Sequence, residues 1–226
     1  MINEKKILII GGTGDIGRAI TKKFPKLLVQ SVGSKSIDLS RNNSIEDFFK
    51  GNLNRYEILI FVSGINNPSL IKDTDVISYE KTINVNCSSL HFILSKNYKC
   101  FSKLKSIVAI GSLYSSFSRS KRASYTISKH GLYGLIKTLA IELAPFCNVN
   151  MVSPGFINTK LTVQNNSQSK INKIKSMIPQ KKLGSPSDIA NAVFFLTQDT
   201  SRYINGINLT IDGGFSCGGF QGIIDE

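Results

Sequence analysis

Short apolar runs alternate with longer amphipathic segments along most of the chain. Each run is five or six residues long and rich in β-branched side chains, as expected for strands buried on both faces of a parallel sheet. The predicted strands are Lys6–Ile10, Leu27–Val32, Glu57–Val62, Ser106–Ile110, Asn148–Val152 and Ile207–Ile211.

Between these runs the apolar residues recur with a spacing near 3.6, which indicates helices that pack by one face. Alternating strands and helices predict a doubly wound parallel sheet in a three-layer α/β/α arrangement. Because the sequence shows no internal repeat and no Gly/Ser-rich linker, we expect a single domain over residues 1–226. The predicted helices are Ile16–Phe24, Tyr79–Cys100, Ala123–Ala144 and Pro186–Leu196.

One connection is shorter than this pattern normally requires. Only five residues separate Val32 from Asp38, too few for a helix that crosses to the next parallel strand. We therefore expect any third strand, near Ser36–Leu39, to be reached by a shortened connection.

The composition is that of a globular protein. A chain of 226 residues, 41% of them hydrophobic, can bury a substantial core. Its apolar runs fall well short of the ~18–20 residues of a membrane helix, and the N-terminal run is too short for a signal peptide. Four cysteines without a CxxC pair favour free thiols in a reducing compartment rather than a metal site. We expect a cytoplasmic protein with no metal.

The net charge of +13 is concentrated in two segments. Residues 91–130 carry eight basic residues and residues 143–187 carry six, and neither segment contains an acid. Such a charge can indicate nucleic-acid binding, but the chain lacks an aromatic-rich basic motif or a recognition-helix signature. Two interpretations stay open: solvated lysines that reflect a compositional bias, or a field that attracts an anionic substrate.

A glycine-rich turn follows the first predicted strand and leads into a helix. It reads Gly11-Gly12-Thr13-Gly14-Asp15-Ile16-Gly17. Glycines at such a turn let the backbone approach a diphosphate, and the helix start offers free N–H groups. The alternative is a tight turn in which Asp15 caps the helix.

A second group of residues suggests acid–base chemistry. Tyr125 and Lys129 stand four apart in a predicted helix, so both project from one face. A neighbouring lysine cation favours the phenolate, which would lower the tyrosine pKa toward the useful range. Ser112 follows a buried strand, at the sheet edge where ligands of open α/β sheets bind.

Together these motifs resemble the short-chain dehydrogenase/reductase family from Lys6 to about Phe215, and within it the β-ketoacyl-acyl-carrier-protein reductases. The resemblance implies a Rossmann-type fold and a catalytic set of Asn86, Ser112, Tyr125 and Lys129. The residues expected to contact the cofactor are Gly11, Thr13, Gly14, Asp15, Ile16, Gly17, Ser34, Lys35, Asp38, Leu39, Ser63, Gly64, Tyr125, Lys129, Pro154, Gly155, Ile157 and Thr159.

Three departures from the family pattern affect the cofactor side. Ile10 stands where the family usually has threonine, and Asp15 where its second glycine usually lies. Phe61-Val62-Ser63-Gly64 replaces the usual Asn-Asn-Ala-Gly. None of them touches the expected catalytic set.

The expected activity is hydride transfer between a nicotinamide and a carbonyl or secondary alcohol, with NADP(H) favoured over NAD(H). No acid follows the second strand to repel a 2′-phosphate, and Ser34 and Lys35 could contact it, although Asp38 could come near the ribose. An acyl group on a carrier protein or coenzyme A is the first substrate expected, and a nucleotide-linked sugar the second. The resemblance implies a homotetramer or homodimer that acts on a small-molecule carbonyl and binds neither nucleic acid nor membrane. The alternative from another class is a nucleotide-binding regulator that has lost turnover.

Overall fold

Six parallel strands form one sheet in the computed structural model, which describes residues 6–52, 55–164 and 166–218. Numbered along the chain, the strands lie in the order β2-β1-β3-β4-β5-β6. Each predicted strand is confirmed to within three residues at either end. The strands are β1 Ile7–Ile10, β2 Val29–Val32, β3 Ile58–Phe61, β4 Ser106–Ile110, β5 Asn148–Pro154 and β6 Asn208–Ile211.

Helices connect the strands and cover both faces of the sheet. Three of the four predicted helices are confirmed, and the fourth, Tyr79–Cys100, is divided into shorter pieces around a π-helical turn at Asn84–Ser88. The helices are α1 Asp15–Thr21, α2 Asn42–Phe49, α3 Val76–Ile83, α4 Ser89–Lys96, α5 Tyr98–Phe101, α6 Ala123–Glu142, α7 Lys160–Gln164, α8 Gln168–Met177 and α9 Pro186–Leu196.

The pleat of β1 shows how the two core layers arise. Successive side chains on a strand point to opposite faces, and all four residues of β1 are buried. Ile7 and Ile9 join a cluster with α1 and α9, whereas Leu8 and Ile10 join a cluster with α2, α4 and α6. This confirms the predicted doubly wound, three-layer α/β/α fold of the Rossmann type.

The shortened connection after Val32 leads to no strand near Ser36–Leu39, the place considered for a third strand. After Val32 the chain turns at once, because the N–H groups of Ser36 and Ile37 both bond to the Gly33 carbonyl, at 2.9 and 3.1 Å. Ile37 and Leu39 are buried in the core beside α2 instead of extending the sheet. The short connection thus leaves β2 at the edge.

Among the described residues, no helix combines the length and the apolarity needed to cross a bilayer.

Candidate active site

The carboxyl ends of the central strands open into a cleft of about 960 Å³. The chain leaves β1 toward β2 on one side and returns through α2 to β3 on the other, so the cleft lies at the point where the strand order reverses. Ligands of open α/β sheets bind at such a point. The predicted site residues that line it are Gly11, Thr13, Gly14, Asp15, Ile16, Gly17, Ser34, Asp38, Leu39, Ser63, Gly64, Ser112, Tyr125, Lys129, Pro154, Gly155, Ile157 and Thr159.

The glycine turn packs against the next strand and leaves one face open. Gly11 has φ +90°, and a Cβ there would lie 2.6 Å from the Ser63 backbone nitrogen, so only glycine fits. A Cβ on Gly14 would meet nothing closer than the Gly11 carbonyl oxygen at 3.8 Å. The backbone is therefore accessible from the cleft at Gly14, as a diphosphate-binding turn requires.

Asp15 contacts the opposite wall of the cleft. Its carboxylate accepts the Lys160 N–H at 2.7 Å and the Arg18 guanidinium at 2.6 Å, and Arg18 also donates to the Thr13 carbonyl. These donors, the Lys160 N–H first, hold the pKa of the Asp15 carboxyl below its usual range. Sequence analysis did not find the contact with Lys160, because 145 positions separate the two residues.

Lys129 is buried below the cleft floor. Its ammonium group donates to the Ile110 carbonyl at the end of β4, at 2.8 Å. Burial lowers the pKa of Lys129 from 10.5 to about 8, because the charged form has lost its water. A Cβ on Gly64 would stand 3.4 Å from Nζ, so the glycine keeps the space in front of the ammonium open.

Tyr125 and Ser112 both line the cleft. Burial raises the pKa of Tyr125, and the Ser112 side chain opposes this rise. The expected lowering of this pKa by Lys129 is not seen. The reason is geometric: the ammonium lies 5.8 Å from the centre of the phenol ring and is directed to Ile110.

Asn86 lies behind the cleft, fully buried in the π-helical turn between α3 and α4. Its Nδ2 donates to the Ile65 carbonyl at 2.9 Å and to the Ser128 hydroxyl at 3.0 Å, and its Oδ1 accepts the Ile65 N–H at 2.8 Å. The side chain thus ties the loop after β3 to α6. Oδ1 accepts this one bond and keeps a second lone pair for another donor.

Ser128 is a site residue that sequence analysis missed. Its hydroxyl donates to the Tyr125 carbonyl at 2.7 Å and accepts from Asn86. The signal was available, since Ser128 stands three positions after Tyr125 and one before Lys129, within reach of the same helical turn.

The far end of the cleft carries residues expected near the 2′-phosphate and its ribose. Ser34 lines it, whereas Lys35 is exposed outside the described lining. The Asp38 carboxylate accepts the hydroxyl and the N–H of Ser40, at 2.7 and 3.0 Å, which hold its pKa below the usual range. Lys81 also lines this end and lowers the same pKa. Its place beside Asp38 follows from the packing of α3 and could not be inferred from spacing.

The end of β5 forms the remaining wall. A Cβ on Gly155 would lie 2.6 Å from the Cβ of Asp212, so glycine is required where β5 passes the turn after β6. The Thr159 hydroxyl accepts the Thr162 N–H at 3.2 Å, which caps the start of α7 and places Thr159 at the cleft. Pro154 and Ile157 complete this wall.

A family model described as enoyl-(acyl carrier protein) reductase matches residues 14–216. The chain belongs to the short-chain dehydrogenase/reductase family. It is 33% identical over 219 residues to the 3-oxoacyl-[acyl-carrier-protein] reductase FabG of Buchnera aphidicola subsp. Baizongia pistaciae, covering 94% of this chain and 88% of the relative. The FabG of Aquifex aeolicus is 28% identical over 214 residues, covering 92% and 86% of the two chains.

Solved structures agree with this assignment. A 4-hydroxyisoleucine dehydrogenase complexed with NADH superposes with a TM-score of 0.85 at 29% identity, covering 95% of this chain and all of the other. The ligand-free aldohexose dehydrogenase of Thermoplasma acidophilum gives a TM-score of 0.82 at 25% identity, with 95% of each chain covered. This short-chain dehydrogenase/reductase is an oxidoreductase acting on CH–OH groups or the corresponding carbonyls.

Proposed function

We propose that this enzyme reduces the carbonyl of an anionic acyl substrate, such as a 3-oxoacyl group on a carrier protein or coenzyme A, with NADPH. The observation that carries the proposal is the convergence of Ser112, Tyr125 and Lys129 at one cleft. The hydroxyl groups of Ser112 and Tyr125 line this cleft together with a buried lysine ammonium. Such a set can bind an oxygen that gains negative charge and deliver a proton to it.

The cleft fits a nicotinamide dinucleotide. The open face at Gly14 suits the diphosphate, and the space in front of Gly64 and Lys129 suits the nicotinamide ribose. The wall from Pro154 to Thr159 would hold the carboxamide, as the family resemblance implies. When bound, this cofactor supplies the hydride.

The chain's own residues would handle the proton and the developing charge. Ser112 would hold the carbonyl oxygen, and Tyr125 would donate the proton to it. Lys129 would bind the ribose, and the second Oδ1 lone pair of Asn86 would hold a water in the proton relay. With the ribose bound, the Lys129 cation would favour the Tyr125 phenolate.

The proposed substrate class rests on charge and on the relatives. The FabG proteins are named for acyl-carrier-protein substrates. The lysines of α8 and its flanks, in a segment without acids, would attract such an anion. A nucleotide-linked sugar is the second candidate. We also propose that the enzyme assembles as a homodimer or homotetramer.

The direct test is oxidation of NADPH or NADH, followed at 340 nm, with acyl-thioester, nucleotide-sugar and steroid-like ketones in parallel. Turnover of a 3-oxoacyl thioester, well above that of the other ketones, is the expected result. Cofactor binding without turnover of any of them would favour the nucleotide-binding regulator instead.

Cofactor preference is expected to depend on Lys35. We expect a higher kcat/KM with NADPH than with NADH, because Ser34 and Lys35 can donate to a 2′-phosphate at the end of β2. Lys35→Gln should lower kcat/KM for NADPH by about two- to fivefold, the range of an exposed ion pair, and leave that for NADH unchanged. Lys50→Gln, an exposed lysine at the end of α2, is the matched control. A wild-type kcat/KM with NADH that equals or exceeds that with NADPH would contradict the predicted preference for NADPH.

We expect the lysines of α8 to attract an anionic substrate. Replacing Lys170, Lys173 and Lys175 together by Gln should raise KM for an anionic acyl thioester by roughly three- to tenfold at low salt. KM for a neutral ketone should change little, and the difference should close as the Debye length falls toward ~3 Å at 1 M salt. The control removes the same charge at three exposed lysines outside α8, Lys26, Lys50 and Lys72. An equal rise in KM for both substrates, or an equal rise in both triple variants, would mean that the α8 lysines only form a solvated face.

A further inference from the structure

Asp15 makes an unexpected contact for a residue of the glycine turn. It is the first residue of α1, at a position where the family pattern usually has glycine. One carboxylate oxygen accepts the N–H of Lys160, the first residue of α7, at 2.7 Å. The other accepts Arg18 at 2.6 Å. A glycine at this position could make neither contact.

The contact spans the mouth of the cleft. Asp15 and its neighbours in the glycine turn line one wall, and Thr159, Lys160 and Thr162 line the wall facing it. A second, outer cleft of about 960 Å³ lies on the far side of the same contact, and Asp15, Arg18, Thr159 and Lys160 line both clefts. The hydrogen bond that Lys160 donates to Asp15 therefore lies between the two clefts, beside the open face of Gly14.

We propose that Asp15 is a positioning residue that anchors the segment 159–164 against the glycine turn and thereby slows cofactor exchange. The cofactor part of this inference rests on the proposed function. Arg18 pairs with the same carboxylate and so reduces the repulsion that a carboxylate beside a diphosphate would cause. The anchor thus keeps the wall in place without leaving an uncompensated negative charge at the turn.

The first test measures, in protein without added cofactor, how strongly the hydrogen bond to Asp15 protects the Lys160 amide. Asp15→Ala should raise hydrogen exchange at the Lys160 amide by about 10- to 100-fold, the value of a hydrogen bond to a charged acceptor. It should also speed tryptic cleavage after Lys160. Asp15→Asn keeps an acceptor oxygen and should restore most of the protection. Asp47→Ala, at an exposed acid of α2, is the control and should change neither readout.

The second test measures the dissociation rate constant of NADPH by stopped-flow fluorescence. Asp15→Ala should raise the dissociation rate constant at least threefold, and Asp15→Asn should stay within about twofold of wild type, because its oxygen still accepts the Lys160 N–H. Unchanged exchange of the Lys160 amide in Asp15→Ala overturns the anchor, whatever the nucleotide does. An unchanged dissociation rate overturns the effect on cofactor exchange. If the wild type binds neither NADPH nor NADH while the amide exchange still rises, the anchor is supported and the proposed function is overturned.

Discussion

Tyr125→Phe should reduce turnover by about 10²–10⁴-fold, the range for a lost general acid, and leave cofactor affinity nearly intact. The phenol would be the group that delivers the proton, while Ser112 and Lys129 remain in place to bind the carbonyl oxygen and the ribose. Turnover and the dissociation constant for NADPH are to be measured on the same preparation, with thermal unfolding to confirm that the variant is folded.

Tyr114→Phe is the matched control for this experiment. The Tyr114 ring packs edge-on against the Tyr125 ring, with 5.6 Å between their centres, so the control removes a hydroxyl from an adjacent tyrosine. We expect it to retain turnover within a few-fold. Near wild-type turnover in Tyr125→Phe, or an equal loss in both variants, would contradict the assignment of Tyr125 as the proton donor.

Lys129→Met should stabilise the cofactor-free protein while abolishing activity. The pKa of Lys129 falls from 10.5 to about 8 because the ammonium is buried. Between these two values the unfolded chain binds more protons than the folded one, so this lysine makes stability rise with pH across that window. Below about pH 8 its destabilising contribution is fully present. Removing it should raise the free energy of unfolding at pH 7 by about 2–3 kcal/mol.

The pH dependence separates this effect from a change in packing. The advantage of Lys129→Met over wild type should shrink as the pH rises from 8 toward 10.5, when urea unfolding is measured at each pH without cofactor. Lys137→Met lies on the same helix at an exposed position and should show no such pH-dependent gain. A difference between Lys129→Met and wild type that does not vary with pH would mean that buried charge is not its origin.

The strands could be predicted from the sequence because a strand buried on both faces consists of a short run of apolar residues. Each is a short β-branched run, and the alternation of β1 between its two faces follows from the pleat alone. The start of helix α9 could also be predicted, since Ser185 and Asp188 form a capping box around Pro186. The long helix predicted from Tyr79 was only partly correct, because its apolar spacing gives no sign of the π-helical turn around Asn86 that interrupts the α-helical bonds.

The sequence by itself placed Tyr125 and Lys129 on one helix and Ser112 after a strand, since spacing on a helix and position after a strand are local properties. Only the tertiary structure decided what those groups experience. Burial lowers the pKa of Lys129, and the Ile110 carbonyl directs its ammonium group. Ser112 rather than Lys129 opposes the rise in the pKa of Tyr125, and the Lys160 N–H bonds to Asp15 across 145 positions. These effects depend on which backbone groups the fold brings within hydrogen-bonding distance and which side chains it removes from water, and neither is encoded in local spacing.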